Sequence, residues 1–359
     1  MTALGTQATE VFPLARVAAT AAGLCTWIES GACQTASGAF AAWLDATTGR
    51  PAFDYPEITG YALSFLAGRP SLSERAWAVG HRAAAWLVHR VHRGNLAARD
   101  GRDNEAVYLF DLAMVASGLL SFGRRAEHAE LVQTGHELVA LVDRELGSGL
   151  SISPLALGRR PDRRAWSTHG LAHLAKLAQC FLLSEDFGDS KQLSRLIETV
   201  MGLQKRDGRM TTDPTDPVTM LHPHLYAAEG LWIWGLARDD EEALERAHAA
   251  LDWAWTQQLE GGGFPRAAVN IHRTDAVEQT DVTAQAVRLA LLLGRRTPAV
   301  EHAIARLVEL SHSSGQTLSL PYQPASPNTH LNTWTTLFAA QALTMATPGA
   351  PAISWPELV

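Results

Sequence analysis

The distribution of hydrophobic and polar positions predicts helices along almost the whole chain, and these helices are of two alternating kinds. One kind is amphipathic, with apolar residues at i, i+3 and i+4 and a charged face; these segments span roughly 12–30, 74–93, 124–146, 189–204, 240–258 and 298–313. The other kind is apolar or small on every side, as in a fully buried helix; these segments span roughly 57–67, 106–121, 166–183, 222–236, 280–294 and 330–346. The pattern therefore predicts six outer and six inner helices in strict alternation.

The connections between these helices also fall into two classes. Links from an inner to an outer helix are short, whereas links from an outer to an inner helix run to roughly 13–26 residues. Several long links carry a glycine turn followed by a strand-like segment, at 38–40, 208–210, 262–264 and 315–318. Six such hairpins predict an all-α (α/α)6 toroid, with short strands in the long links on one face and one domain over 1–359. An open superhelical array is the rival, and the lack of polar capping repeats argues against it.

Composition narrows the class of partner. The chain has 30 Lys and Arg against 37 Asp and Glu, and a net charge of -7 is unfavourable for binding a nucleic-acid backbone. Three cysteines without metal-site spacing indicate a reducing compartment rather than a disulfide framework. There is no apolar run of membrane length and no basic signal-peptide start. We therefore expect a soluble cytoplasmic protein with no nucleic-acid or membrane partner, and a homodimer is left open.

Candidate chemistry is concentrated where the inner helices begin, below the long links. Helix dipoles there favour anions, and polar side chains there would line a cavity. The candidates for proton transfer are Asp111, His169, His224, Glu57, Tyr61, Glu229 and Asp281. The candidates for substrate binding are Tyr55, Tyr108, Trp166, His222, Tyr226, Arg288, His330, Asn332 and Trp334. Among these acid–base groups, Asp111, His169 and His224 are our first choice for the residues that transfer the proton.

Some of these residues have an equally good structural interpretation. Glu57 follows Pro56 as an ordinary first helical turn would, and Asp281 is placed as a helix cap would be. Asp111 and Glu229 lie in apolar surroundings, where a carboxylate needs a partner or a function. His169 has a second histidine four residues later, but a catalytic metal needs three or four convergent ligands, so we expect no metal and no cofactor.

Four short stretches resemble a known group of proteins. They are YPEITGY at 55–61, FD at 110–111 with GLL at 118–120, HLYAAEGL at 224–231 and DVTAQAVR at 281–288. Together they resemble bacterial α/α-toroid proteins of sugar metabolism, similar to the toroid domain of D-glucuronyl 5-epimerases. The likeness to acylglucosamine 2-epimerases and unsaturated-glycan hydrolases is more distant. The full catalytic Arg, Glu and His motifs of the 2-epimerases are absent from the sequence, so the resemblance implies fold and substrate class more than reaction.

A weaker resemblance leads to a different chemistry. Gln204 followed by Gly208, and Gln257 followed by Gly263, are similar to the Gln and Gly-aromatic repeats of triterpene cyclases and prenyltransferase β subunits. The acidic motif of the cyclases and an obvious zinc set are absent from the sequence.

The sequence thus predicts a carbohydrate-active enzyme, with a cofactor-independent sugar epimerase or isomerase as the leading hypothesis. Such a reaction needs one group to remove a carbon-bound proton and another to return it from the opposite face. A glycoside hydrolase or lyase on the same scaffold is the alternative, followed by a terpenoid cyclase-like enzyme and a non-catalytic binding protein. Substrate identity, the linkage of the sugar, the acid–base pair and the oligomeric state stay open.

Overall fold

The protein forms two concentric rings of helices. The computed structural model describes residues 13–97, 106–147, 155–156, 170–213, 216–269, 272–314, 317–324 and 330–359. Within these ranges the outer helices are α1 (Leu14–Glu29), α3 (Glu74–His92), α5 (Ala129–Gly147), α7 (Lys191–Gly202), α9 (Glu241–Trp255) and α11 (Pro298–Glu309). The inner helices are α2 (Pro56–Ala67), α4 (Leu109–Arg125), α6 (Ala178–Leu183), α8 (Leu221–Arg238), α10 (Thr280–Leu292) and α12 (Thr333–Ala346).

The inner ring closes on itself. Each inner helix contacts the next one along the chain, and the last, α12, contacts the first, α2. The outer helix α11 likewise contacts α1. This closure confirms the predicted all-α toroid of six hairpins.

Two helix boundaries differ from the pattern. The third inner segment is a 3-10 turn over Ala172–Leu177 that runs into the short α6, while the predicted helix began at 166, outside the described residues. The second inner helix, α4, extends to Arg125, so α5 begins only at Ala129. Glu127 has a positive φ of 52° and turns the chain between the two helices, which a continuous apolar pattern does not reveal.

The strands lie in the links that lead into inner helices. They are β1 (Trp43–Asp45), β2 (Ala106–Val107), β3 (Leu155–Ala156), β4 (Thr219–Met220), β5 (Pro265–Val269), β6 (His272–Glu278), β7 (His312–Ser314), β8 (Thr317–Pro321) and β9 (His330–Asn332). They pair antiparallel in the orders β1-β9-β8-β7, β2-β3 and β4-β5-β6. Short strands on one face are therefore confirmed. Of the four predicted positions, however, 38–40 and 208–210 contribute only isolated bridges and 262–264 precede β5. In 315–318 the described residues 317 and 318 belong to β8, and 315–316 lie outside the described residues.

In three links a glutamine side chain fixes the glycine turn through the same pair of hydrogen bonds. In each, the glutamine Nε2 donates both to the carbonyl of the glycine four residues on and to a carbonyl of the next outer helix, at 2.8–3.1 Å. The pairs are Gln34 with Gly38, Gln204 with Gly208, and Gln258 with Gly262. These glycines have φ of 101°, 90° and 87°, a region that side chains rarely adopt. These hydrogen bonds give the Gln-to-Gly repeat a structural role, and in the third link they are made by Gln258 and Gly262, the neighbours of the Gln257 and Gly263 quoted for the repeat.

Candidate active site

Equivalent positions of the inner helices form three layers along the toroid axis. Residues at i, i+4 and i+7 share one face of a helix, and the inner helices begin in nearly the same register. The upper layer, at the helix starts, contains Glu57, Phe110, His222, Asp281 and Trp334. The middle layer contains Tyr61, Met114, His173, Tyr226, Gln285 and Phe338. The lower layer contains Ser64, Ser117, Lys176, Glu229, Arg288 and Gln341.

The upper layer holds a buried carboxyl group with two neighbours. Asp281 Oδ2 accepts from Trp334 Nε1 at 3.3 Å and lies 3.4 Å from His222 Nδ1. Burial raises the pKa of Asp281 to about 7, against the opposing effect of the Trp334 and backbone hydrogen bonds. Burial also lowers the pKa of His222 to about 3, against a hydrogen bond with Gln285. At neutral pH the pair is a neutral imidazole beside a carboxyl group that can gain or lose a proton.

Two more carboxylates lie in the first turns of helices on the other side of the ring. Glu57 is the second residue of α2 and Asp111 the third of α4, and they are 9% and 8% exposed. The α2 and α4 helices are first and second of the six inner segments, whereas α8 and α10 are fourth and fifth. Glu57 and Asp111 therefore belong to helices opposite those that carry His222 and Asp281.

A pair of tyrosines from opposite helices closes the space below the upper layer. The hydroxyls of Tyr61 on α2 and Tyr226 on α8 are 2.7 Å apart, and both side chains are buried. Phe338 packs edge-to-face on Tyr61 at 5.6 Å, and Phe110 lies 4.8 Å from Tyr226. Burial raises the pKa of both phenols. The tyrosine pair is the floor of the upper layer, and we call the upper-layer side chains on the link side of this floor the cup.

The lower layer is an ion network sealed beneath this floor. Glu229 accepts from Lys176 Nζ and, at 2.7 Å, from Arg288 Nη2, while Arg288 Nη1 donates to Gln341 Oε1 at 3.1 Å. All four side chains are buried. Burial alone would raise the pKa of Glu229, but Arg288 and Lys176 bring it below its ordinary value. Burial lowers the pKa of Lys176 to about 8. The predicted catalytic Glu229 and substrate-binding Arg288 thus neutralise each other in the core.

His224 belongs to the wall of the toroid rather than to the cup. Its Nδ1 accepts from Met210 N at 3.2 Å, its Nε2 is 2.8 Å from Ala250 O, and the ring is fully buried. Burial lowers its pKa to about 4. The fourth residue of α2, α10 and α12 is a threonine that accepts from a link N–H in the same way. The backbone thus occupies both ring nitrogens, and the proton-transfer role of His224 stays a prediction.

The remaining predicted residues lie around the rim or outside the described part. Asn332 caps α12 by accepting from Thr335 N at 2.9 Å, and His330 in β9 stacks on Trp43 of β1 at 4.6 Å. Tyr55 and Tyr108 are the half-buried residues that directly precede α2 and α4. Trp166 and His169 lie outside the described residues.

Several residues of this region were not among the predicted ones. Lys176 and Gln341 complete the ion network, and both would be found by aligning the inner helices on their i, i+4, i+7 face. Tyr322, directly after β8, packs edge-to-face on Trp334 at 5.4 Å. No local sequence signal marks Tyr322, because its neighbours Gln279 and Trp334 lie at the starts of α10 and α12.

Within the described ranges, no three His, Cys, Asp or Glu side chains are grouped so that they could hold a metal ion. None of the described helices combines the length and the apolar character needed to span a bilayer.

Comparison with solved structures places the fold among known toroids. No protein-family model and no curated protein sequence matches this chain. Cellobiose 2-epimerase from Bacillus thermoamylovorans B4167 superposes with a TM-score of 0.69 at 11% identity, over 88% of this chain and 95% of that one. Unsaturated glucuronyl hydrolase from Bacillus sp. GL1 gives 0.66 at 12% identity, over 94% and 98%. A sugar epimerase from a ruminal bacterium gives 0.70 at 9% identity, over 92% and 98%. The chain shares the (α/α)6 toroid fold of these sugar-processing proteins.

Proposed function

We propose that this protein is a carbohydrate-active enzyme that moves protons in the cup of the upper layer, as a cofactor-independent sugar epimerase or isomerase. The observation that carries the proposal is Asp281, a buried carboxyl group with a pKa of about 7, in contact with His222 and Trp334. A general acid or base works best when its pKa lies near the working pH. The fold shared with two sugar epimerases supports the substrate class.

The placement of acid–base groups on opposite helices supports epimerisation. A carboxylate on one side takes the proton from a carbon next to a carbonyl group. The electron pair of that C–H bond forms a C=C bond, and the π pair of the carbonyl group moves onto its oxygen, which gives an enolate. A carboxylic acid on the opposite side then returns a proton to the other face of the same carbon. Asp281 on α10 is the candidate for one side, and Glu57 on α2 or Asp111 on α4 for the other.

Hydrolysis is the second candidate, because the same carboxyl groups would flank a glycosidic bond. One carboxylic acid would protonate the leaving oxygen while a carboxylate activates water or attacks the sugar carbon. The fold shared with unsaturated glucuronyl hydrolase supports this alternative.

Proton exchange in deuterated water separates the two reactions. The protein is incubated with a panel of aldoses, disaccharides, uronic acids and amino sugars, and the sugars are followed by NMR. Deuterium at one ring or chain carbon is expected for an epimerase, and bond cleavage without exchange identifies a hydrolase. Asp281→Asn should lower the rate of turnover by a factor of about 10²–10⁴.

The matched control is Asp252→Asn on the exposed side of α9, where the side chain pairs with Arg295. That variant should keep the wild-type rate, because exposed ion pairs contribute little to stability. A fully active Asp281→Asn variant would remove Asp281 from the mechanism, and no change in any sugar would overturn the carbohydrate proposal.

A further inference from the structure

Asp281 is in contact with His222 of α8 and Trp334 of α12, and Trp334 in turn packs on Tyr322, which belongs to neither helix. We propose that Tyr322 is a positioning residue for Asp281: it is anchored at the start of α10 and acts on Asp281 by orienting Trp334. The inference rests on the proposed function, since it assigns to Tyr322 the support of the proton-transfer group.

The first connection runs to the backbone before Asp281. Tyr322 lies directly after β8, and its carbonyl oxygen accepts from Thr280 N at 3.0 Å. Its hydroxyl accepts from Gln279 Nε2 at 2.7 Å. Gln279 and Thr280 are the two residues before Asp281, so both hydrogen bonds fix the point at which α10 begins.

The second connection runs to the side chain that donates to Asp281. The ring of Tyr322 packs edge-to-face on the Trp334 indole, with centroids 5.4 Å apart. Trp334 Nε1 in turn donates to Asp281 Oδ2 at 3.3 Å. Edge-to-face packing restricts the orientation of the indole, and an oriented indole keeps its N–H directed at the carboxylate. Tyr322 is therefore connected to Asp281 twice, through the backbone at Thr280 and through Trp334, and we call this set of residues the circuit.

Other contacts already hold the backbone, so the orientation of Trp334 is what Tyr322 adds. Glu278 accepts from Arg306 Nε and Nη2 at 2.9 and 2.8 Å, which ties the end of β6 to α11. Gln279 N donates to Phe264 O at 2.9 Å. With this segment anchored twice, the indole of Trp334 is the member of the circuit whose orientation depends on Tyr322.

The charged and titratable groups around the circuit are few in the described ranges. His222 faces Asp281 from α8, and Arg288 lies two turns below it on α10. Burial, and then the charge of Asp281, raise the pKa of Tyr322, so its phenol is neutral, while Arg266 of β5 acts in the opposite direction. The residue that α12 contributes to this layer, Trp334, does not titrate.

The test measures the titration of Asp281 directly, without a substrate. The protein is labelled with ¹³Cγ-aspartate, and Asp281→Asn identifies the resonance of Asp281 by its loss. Trp334→Phe removes the donor to the carboxylate, and should raise the pKa of Asp281 by about half a unit to one unit. Tyr322→Leu keeps an apolar side chain but removes the ring, and should raise this pKa to a similar extent.

The double variant Tyr322→Leu with Trp334→Phe decides whether the two residues act together. If Tyr322 acts through Trp334, the double variant should shift the pKa of Asp281 no further than Trp334→Phe alone. Trp77→Phe on α3 is the control and should leave the titration unchanged. Should Tyr322→Leu be poorly folded, Tyr322→Phe provides the measurement, since loss of the Gln279 bond should speed hydrogen exchange at the Trp334 indole N–H.

Two outcomes would overturn the proposal. One is a Tyr322→Leu variant in which Asp281 titrates as in the wild type while Trp334→Phe shifts it. The other is a fall in the pKa, which would mean that Tyr322 only excludes water. Failure of the proposed function is separate, because it shows as retained sugar turnover in Asp281→Asn, whatever the titration of Asp281 does.

Discussion

Helices α8 and α10 carry buried ionisable side chains at two levels, and the pKa of the carboxyl group shifts in opposite directions at the two levels. In the upper layer α8 and α10 contribute His222 and Asp281, and seven residues further along they contribute Glu229 and Arg288. Burial raises the pKa of Asp281 to about 7, whereas the pKa of Glu229 falls below its ordinary value. The two levels are about two helical turns, or on the order of 10 Å, apart.

The difference between the two levels lies in their partners rather than in their burial. Both carboxylates are almost completely inaccessible, so both suffer the same kind of desolvation. Glu229 has a fixed guanidinium and an ammonium against it, and Asp281 has an indole N–H and a neutral imidazole. A carboxylate with permanent counter-charges supports the fold, and one without them keeps a proton that can be exchanged near neutrality.

The largest effect is expected from removing the central charge of the lower layer. Glu229→Gln should lower the free energy of unfolding by about 3–5 kcal/mol, because it leaves Arg288 charged and buried without its carboxylate. Lys176 can release its proton to escape the same penalty, but Arg288 cannot. Urea unfolding at neutral pH measures the loss.

The pH dependence and a matched triple variant sharpen this test. Since the folded state lowers the pKa of Glu229, its stabilisation is present above the unfolded value of 4.5 and is lost as the pH falls. The gap between wild type and Glu229→Gln should therefore narrow in acid. Replacing Lys176, Glu229 and Arg288 together by Met, Leu and Met should cost far less than Glu229→Gln alone. An equal loss in both proteins would contradict a lower layer in which the buried Arg288 charge depends on the Glu229 carboxylate.

For the upper layer, the pH dependence of stability should have the opposite sign. The folded state raises the pKa of Asp281 from 3.8 to about 7, so its contribution to stability is most favourable below pH 4 and is lost as the pH rises through 7. Asp281→Asn should therefore be more stable than the wild type by roughly 2–4 kcal/mol at pH 8, and nearly equal to it at pH 4. Unfolding curves at both pH values measure this, and a destabilised variant at pH 8 would assign the carboxylate a structural role.

The rings were predictable because they depend on local periodicity, and the links were not. The two kinds of helix follow from how much of each surface is apolar. The structure differs at ends such as the turn at Glu127, and in the third inner segment, where Ala172–Leu177 is a 3-10 turn. The strands depend on pairing between distant links, for example Trp43 with Asn332. A three-residue strand carries too little local signal to locate.

The chemistry of the cup was predictable at the level of residues but not of their partners. Sequence reasoning placed Asp281, Glu229 and His224 in one set of acid–base candidates, because all three lie on inner helices. Their roles diverge through long-range contacts with Trp334, Arg288 and the backbone at Ala250. The i, i+4, i+7 register would have assigned the layers in advance, and it also shows that His224 lies off the axis face.

A smaller effect separates the two histidines at the start of α8. His224→Ala should cost about 2–3 kcal/mol of stability, since it leaves Met210 N and Ala250 O without their ring partner and opens a cavity. His222→Asn should change stability by less than about 1 kcal/mol and act on turnover instead. His224→Thr should recover part of the loss, as Thr283 makes the equivalent contact in α10. Equal losses of stability from His224→Ala and His222→Asn would contradict the division into wall and cup.

The smallest effect is expected at the tyrosine floor that separates the two levels. Tyr61→Phe removes one hydroxyl and leaves that of Tyr226 buried without its partner, which should cost about 1–2 kcal/mol. The double change of Tyr61 and Tyr226 to Phe should recover most of this loss, because no polar group is then left unpaired. Turnover of the sugar should persist in both variants, since the hydroxyl pair is buried beneath the cup. A loss of proton exchange of a hundredfold or more in Tyr61→Phe would instead make the phenol an acid–base group and join the floor to the chemistry of the upper layer.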